Sequence, residues 1–134
     1  MDRFTKRPPV ILVVDDDLQV QRAMEIMLGH SGYRVLLAGS GQEAIDRVAS
    51  SLPDLILLDV MMPKMDGYEA TERIRQLPGG DQLPVIFLSV LGGEAESKAR
   101  GLALGICDCI AKPVKMHDLR RRIEACLAPD VRTE

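Results

Sequence analysis

The chain lacks a long apolar run, a glycine-rich phosphate loop, a strong charge of either sign and an even set of cysteines. Each absence removes a class of function. Val10–Val14 is far too short to span a bilayer, and no apolar segment follows Arg3, Lys6 and Arg7 as a signal-peptide core would. The expectation is a soluble, cytoplasmic chain with no membrane partner. A net charge of -3, with acids and bases mixed along the chain, gives no electrostatic reason to bind nucleic acid. Glycine-dependent nucleotide sites fail because the first turn reads Asp15-Asp16-Asp17 and no G-x-x-x-x-G-K-[ST] occurs. Three clustered acids would repel phosphate unless a metal intervened. Cys107, Cys109 and Cys126 are odd in number, and C-x-C without a nearby histidine is a poor metal site. They read as buried or semi-buried free thiols.

At 134 residues the chain has room for one domain, which buries about two thirds of its unfolded surface in a single core. No second catalytic domain fits. Residues 1–8 read as a flexible lead-in, 9–128 as the domain, and 129–134 as a tail or the start of a linker. Within the domain, five apolar runs alternate with five amphipathic stretches. The runs are Val10–Val14, Val35–Ala38, a central run ending at Asp59, Pro84–Ser89 and Cys109–Ala111. The predicted helices cover about Leu18–His30, Gly41–Ser50, Gly67–Leu77, Glu94–Leu104 and Met116–Leu127. Their inward residues are Val20, Met24, Met27 and Leu28; Ala44, Ile45 and Val48; Ala70, Ile74 and Leu77; and Leu119, Ile123 and Leu127. Asp17 is the expected N-cap of the first helix, and Gly32, Gly105 and Pro129 are stops. Regular alternation at short spacing predicts an α/β domain, a parallel sheet with right-handed crossovers covering both faces.

Parallel strands all deliver their carboxyl ends to one edge, where ligands bind. The central apolar run, Leu55-Ile56-Leu57-Leu58, ends on the carboxylate of Asp59, followed by Pro63 and Asp66-Gly67. Alone, Asp59 could simply cap the next turn. The other strand ends add Asp15 and Asp16, Ser89, and Lys112. Converging carboxylates raise one another's pKa, and a hard divalent cation relieves this. An oxygen-only set suits Mg²⁺ or Mn²⁺ better than zinc. Lys112 and Ser89 then offer a positive charge and a hydroxyl to the outer oxygens of a phosphoryl group, so the set points to phosphoryl chemistry. Three mechanisms remain open: an aspartyl phosphate on Asp59, a metal-dependent phosphate hydrolase activating water, and non-covalent metal or messenger binding. No His or Glu is placed as a general base, which favours the first.

From about Pro9 to Leu127 the chain resembles a receiver domain of the bacterial two-component response regulators. The likeness rests on an ordered set of motifs: Ile-Leu-Val-Val-Asp15-Asp16-Asp17, Leu-Leu-Asp59-Val-Met-Met-Pro63 with Asp66-Gly67, Pro84-Val-Ile-Phe-Leu-Ser89, and Gly105 followed by Lys112-Pro113. The resemblance implies a flavodoxin-like three-layer sandwich with strand order 2-1-3-4-5. It implies that Asp59 takes a phosphoryl group from the phosphohistidine of a sensor histidine kinase or a histidine phosphotransfer protein. Asp16, Asp59 and the backbone carbonyl of Met61 would hold Mg²⁺, with Asp15 assisting through water. Ser89 and Lys112 would each bond a phosphoryl oxygen, and the Lys112–Pro113 bond would be cis. The chain would catalyse only its own phosphorylation and dephosphorylation, and a homodimer would use the face of the fourth helix, fifth strand and fifth helix. It would stand either as a phosphate carrier in a phosphorelay or as the receiver of a longer regulator.

Two departures from that pattern, and two residues beside the expected pocket, bear on this chain. Cys109 occupies the fifth-strand position where the family usually has an aromatic that moves with the hydroxyl residue, so the switch pair Ser89 and Cys109 is atypical. Val90 replaces the usual small residue after the hydroxyl. Met61 and Leu91, two residues past Asp59 and Ser89, flank the expected pocket and are apolar, so neither orients an attacking water. The expectation is a slowly cleared aspartyl phosphate and an altered readout.

Overall fold

The computed structural model describes residues 7–90 and 94–127, with Glu94 described by its backbone alone. Most of the expected lead-in, Leu91-Gly92-Gly93 and the tail from Ala128, including the stop assigned to Pro129, lie outside the described residues. The elements in chain order are β1 (Val10–Val14), α1 (Leu18–His30), β2 (Arg34–Ala38), α2 (Gly41–Ser50), β3 (Leu55–Asp59), α3 (Gly67–Arg75), a 3-10 turn (Gly80–Gln82), β4 (Val85–Ser89), α4 (Glu94–Ala103), β5 (Asp108–Ala111) and α5 (Met116–Leu127). All strand pairings are parallel and the order is β2-β1-β3-β4-β5. This is the α/β architecture anticipated above.

Alternation along each strand divides the core in two, as the pleat requires. Leu12, Val14, Ile56, Leu58, Val85 and Phe87 face α2 and α3, packing on Ala44, Val48, Ala70 and Ile74. Ile11, Val13, Leu55, Leu57, Ile86 and Leu88 face the other way, onto Met24, Leu28, Leu119 and Ile123 of α1 and α5. Each of these large side chains contributes about 1.5–3 kcal/mol when fully withdrawn from water. The central strands β3 and β4 are buried along their whole length. Any polar group they carry is therefore confined to an end.

Helices α1, α2 and α3 start on side-chain caps. Asp17 accepts the Gln19 and Val20 amides, Ser40 the Glu43 amide and Asp66 the Glu69 amide. Gly32 and Gly105 follow α1 and α4 with φ of 97° and 75°, the left-handed region in which a helix is commonly stopped. Helix α3 ends at Arg75, two residues before Leu77. The Arg75 guanidinium donates to the carbonyls of Gly80, Leu83, Leu104 and Gly105, tying the end of α3 to the entries of β4 and β5. Burial lowers the pKa of this guanidinium, with Asp81 acting in the opposite direction.

Two expectations require correction. On α1, Met27 is exposed while Gln21 is buried, because Gln21 carries a polar duty described below. The thiols of Cys107 and Cys126 are not free: they form a disulfide, and Cys109 lies outside it. The last turn of α5 packs beside the loop entering β5, bringing the two Cα atoms to 6.2 Å. Arg122 of α5 reinforces this junction through Asp108 at 2.9 Å.

A cross-link closing a 19-residue separation stabilises by roughly 3 kcal/mol through the unfolded chain. Dithiothreitol should accordingly lower the midpoint of thermal unfolding by roughly 10 °C, measured by circular dichroism. The Cys107→Ser protein should melt at that lower temperature with and without reductant; equal midpoints for oxidised and reduced wild type would show that the bridge contributes nothing.

Candidate functional site

The strand register places four side chains at one edge. Val14 pairs with Leu58, so Asp15 and Asp59 emerge level with each other. Asp59 pairs with Leu88, and Ser89 with Ala111, so Ser89 and then Lys112 follow on the neighbouring strands. Local backbone bonds finish the alignment: Val60 N–H donates to Leu88 C=O, and Lys112 N–H donates to Ser89 C=O at 2.6 Å. The Lys112–Pro113 peptide is cis.

Asp59 is 4% exposed and Asp15 2%. The Lys112 ammonium lies 3.2 Å from Asp59 Oδ2 and 3.5 Å from Asp15 Oδ2. The other oxygens are also engaged: Asp59 Oδ1 accepts the Met61 amide at 3.1 Å, and Asp15 Oδ1 accepts the Asp17 amide at 2.9 Å. Burial pushes the Asp59 carboxyl above its ordinary value, with Lys112 opposing and Asp15 adding to the rise. For Lys112, burial acts downward, yet attraction to Asp59 and Asp15 leaves the ammonium raised overall. Lys112 is thus charged at neutral pH.

Asp16 is exposed, and oxygens of Asp15, Asp16 and Asp59 all lie within 4.8 Å of one another. Three carboxylates against the one ammonium that contacts two of them leave a surplus of negative charge at a partly desolvated place. An oxygen-only set with that surplus fits a hard divalent cation.

Beside the carboxylates opens a cavity of about 250 Å³, lined by Met61, Tyr68, Ser89, Val90, Ser97 and Arg100 among others. Ser89 is 2% exposed; Met61 and Val90 are 63% and 47% exposed. Leu91 lies outside the described residues. Cys109 is buried opposite Phe87 on β4, two residues before Ser89. It belongs to the core beneath the site and does not line this cavity.

The loop from Val60 to Gly67 is folded back on the strand end. Gly67 N–H donates to Val60 C=O at 2.9 Å, and Lys64 sits at φ 71° inside a tight turn closed by Met65 N–H to Pro63 C=O. A Cβ on Gly67 would stand 2.9 Å from Asp59 O and Val60 Cα, which is why glycine opens α3 here.

Residues 11–124 match the sequence model of the response regulator receiver domain. The chain belongs to the response regulator receiver domain family. It is 42% identical over 120 residues to response regulator MprA of Mycolicibacterium vanbaalenii, covering 90% of this chain and 51% of that protein. The receiver thus spans about half the length of the curated relatives it matches. Among solved structures it superposes on the receiver domain of sensor histidine kinase PA1611 from Pseudomonas aeruginosa, which has a magnesium ion coordinated in its active site cleft. That match has a TM-score of 0.81 and 33% identity and covers 90% of this chain and 98% of the other. Chemotaxis protein CheY4 of Vibrio cholerae matches with a TM-score of 0.84 and 28% identity over 90% and 99% of the two chains.

Three polar residues that support this receiver's site escape sequence reasoning. Gln21 donates from its amide to Asp15 C=O at 2.7 Å, fixing the acidic turn from inside α1. Ser97 and Tyr68 form a hydrogen-bond chain onto Ser89. A buried glutamine or serine on an amphipathic helix has no periodic signature, because its value lies in a partner distant in sequence.

Since its folded pKa is raised, ionised Asp59 costs stability above that pKa, and the cost vanishes below the ordinary value of 3.8. In magnesium-free buffer Asp59→Asn should therefore raise the melting temperature at pH 7. The gain should shrink as pH falls through the folded pKa and disappear below about pH 3.8. A melting series from pH 7 to pH 3 checks this, and a gain independent of pH would refute it.

Proposed function

We propose that Asp59 accepts a phosphoryl group from the phosphohistidine of a histidine kinase or histidine phosphotransfer protein. The observation that carries this reading is the buried Asp59 carboxylate, held between the Met61 amide and the Lys112 ammonium, with Ser89 ending the neighbouring strand. An Asp59 oxygen forms a bond to phosphorus while the phosphorus–nitrogen bond breaks and its electron pair leaves with the imidazole, which takes up a proton. Lys112 keeps the nucleophile ionised despite its burial and pairs with a phosphoryl oxygen as charge moves outward. Ser89 donates a hydrogen bond to another. Asp16, Asp59 and the Met61 carbonyl would hold Mg²⁺, or Mn²⁺, with Asp15 assisting through water. When bound, the cation neutralises negative charge on the transferring group.

The domain bounds 9–128 and the cytoplasmic setting are part of the same proposal. The described helices include none long and apolar enough to cross a membrane. Relatives about twice the matched length favour the receiver portion of a longer regulator over a stand-alone phosphorelay carrier. The face of α4, β5 and α5 is the proposed homodimer surface.

Incubation with acetyl phosphate and Mg²⁺ tests the chemistry. One phosphoryl group per chain, lost with Asp59→Asn or excess EDTA, is expected by intact-mass measurement. Turnover without an adduct would instead indicate a hydrolase, and metal binding without label a non-covalent sensor.

Durability of the adduct follows from Met61, whose exposed side chain borders the cavity and has no group able to orient water. Met61→Asn should shorten the half-life of phosphorylated protein about a hundredfold, the lower end of the range for a positioned proton-transfer group. The decay of label after removal of donor measures it; unchanged decay would locate the control elsewhere.

A further inference from the structure

Helix α4 is held to the sheet by an unusual face. Of its described side chains, Ala95, Glu96, Lys98, Ala99 and Arg100 are all exposed, and so is Leu102, at 66%. The buried positions are Ser97 and Gly101, one turn apart. Gly101 lets the helix approach closely, since a Cβ there would run into Ile106 and Phe87. The face therefore gains little from apolar burial, and among its described side chains the Ser97 hydroxyl, 4% exposed, is the buried polar attachment, beside the exposed Arg100 described next.

That hydroxyl stands in the middle of a chain. Tyr68 of α3 donates its phenol proton to Ser97 Oγ at 2.8 Å, and Ser97 Oγ lies 3.0 Å from Ser89 Oγ. Each serine has one proton to give. With Tyr68 filling an acceptor position on Ser97, the Ser97 proton can go to Ser89 Oγ, leaving the Ser89 proton for a phosphoryl oxygen. Among the described residues the alternative acceptor for Ser89 is a long one, Val90 C=O at 3.5 Å. At the outer end, the Tyr68 ring packs edge-on against Phe87, with centroids 5.6 Å apart, and the Arg100 guanidinium of α4 lies 3.6 Å above the ring centroid. The aromatic missing from β5, where Cys109 stands, thus has a counterpart supplied from α3.

We propose that Ser97 and Tyr68 are positioning residues: they orient the Ser89 hydroxyl toward the phosphoryl group and transmit phosphorylation of Asp59 to α4. The proposal rests on the phosphoacceptor reading above. An acceptor-only phosphoryl oxygen fixes the polarity of all three hydroxyls, and a polarised chain strengthens each of its links. Because α4 is attached through this chain, the state of Asp59 reaches the Tyr68–Arg100 pair without any movement of a β5 ring.

The sequence has no tryptophan and two tyrosines, so Tyr33→Phe leaves Tyr68 as its sole strong ultraviolet emitter. In that background, acetyl phosphate with Mg²⁺ should change Tyr68 emission in proportion to Asp59 label measured by intact mass. Adding Ser97→Ala should leave Asp59 able to take label but cut the emission change roughly fivefold, the population equivalent of one net hydrogen bond. Ser97→Thr, which keeps a hydroxyl, should restore it. Full label with no change in Tyr68, or an undiminished change in Ser97→Ala, overturns the proposal. Absence of label in the Tyr33→Phe protein and in wild type overturns the phosphoacceptor reading itself, a distinguishable result. If Ser97→Ala does not fold by circular dichroism, Tyr68→Phe provides the second test. The amide shifts of Lys98 and Ala99 on phosphorylation should then be smaller than in wild type, and equal shifts reject the idea.

Discussion

A sheet buried on both faces can hold charge only where its strands end. In this receiver that constraint organises everything else. Strands β3 and β4 are apolar to their last residue, and the first polar groups they meet are Asp59 and Ser89. Parallel pairing then aligns these ends with Asp15 and Lys112. The resulting cluster is tolerable because Lys112 lies between two nearly inaccessible carboxylates, and because backbone amides take the oxygens that it does not reach. A buried carboxylate with such partners stays usable as an anion, whereas the same group unpaired would take up a proton.

The groups around the cluster divide between building it and reading it. Gln21, Gly67 and the turn at Lys64 shape the backbone from which the acids project. Arg75 and the Cys107–Cys126 disulfide fasten the opposite end of the domain, where β4 and β5 begin. Between these two firm regions lies α4, whose described face is small and polar. Few apolar contacts mean a low cost of displacement, the usual property of elements that move during signalling. The Ser89–Ser97–Tyr68 chain is therefore well placed to matter, since it joins this helix to the buried residue that ends β4.

Family likeness makes the chemistry recognisable, while the individual residues give it character. Cys109 is small and buried beside Phe87, its partner in the β4–β5 register, so β5 itself offers no ring at this position to report on Ser89. Tyr68 approaches the same region from α3 and meets Phe87 edge-on. An aromatic in this neighbourhood is thus retained with a different origin in the chain.

Periodicity and punctuation were enough to locate every strand and helix to within a few residues, because burial on both sides writes continuous apolar runs and capping writes aspartates and glycines. The convergence of Asp15, Asp16, Asp59, Ser89 and Lys112 was legible for the same reason: in a parallel sheet, the last residue of each run has only one edge to reach. Pairings between residues distant in the chain were not legible. Met27 and Gln21 exchange their expected burial because Gln21 finds the Asp15 carbonyl across the fold. Cys107 and Cys126 meet because α5 folds back on β5, and Ser97 and Tyr68 meet because α3 and α4 flank the same cavity. Local sequence thus determined the elements and the edge on which the site lies. Tertiary packing alone decided which polar side chains touch, because such contacts depend on orientations set by several elements at once.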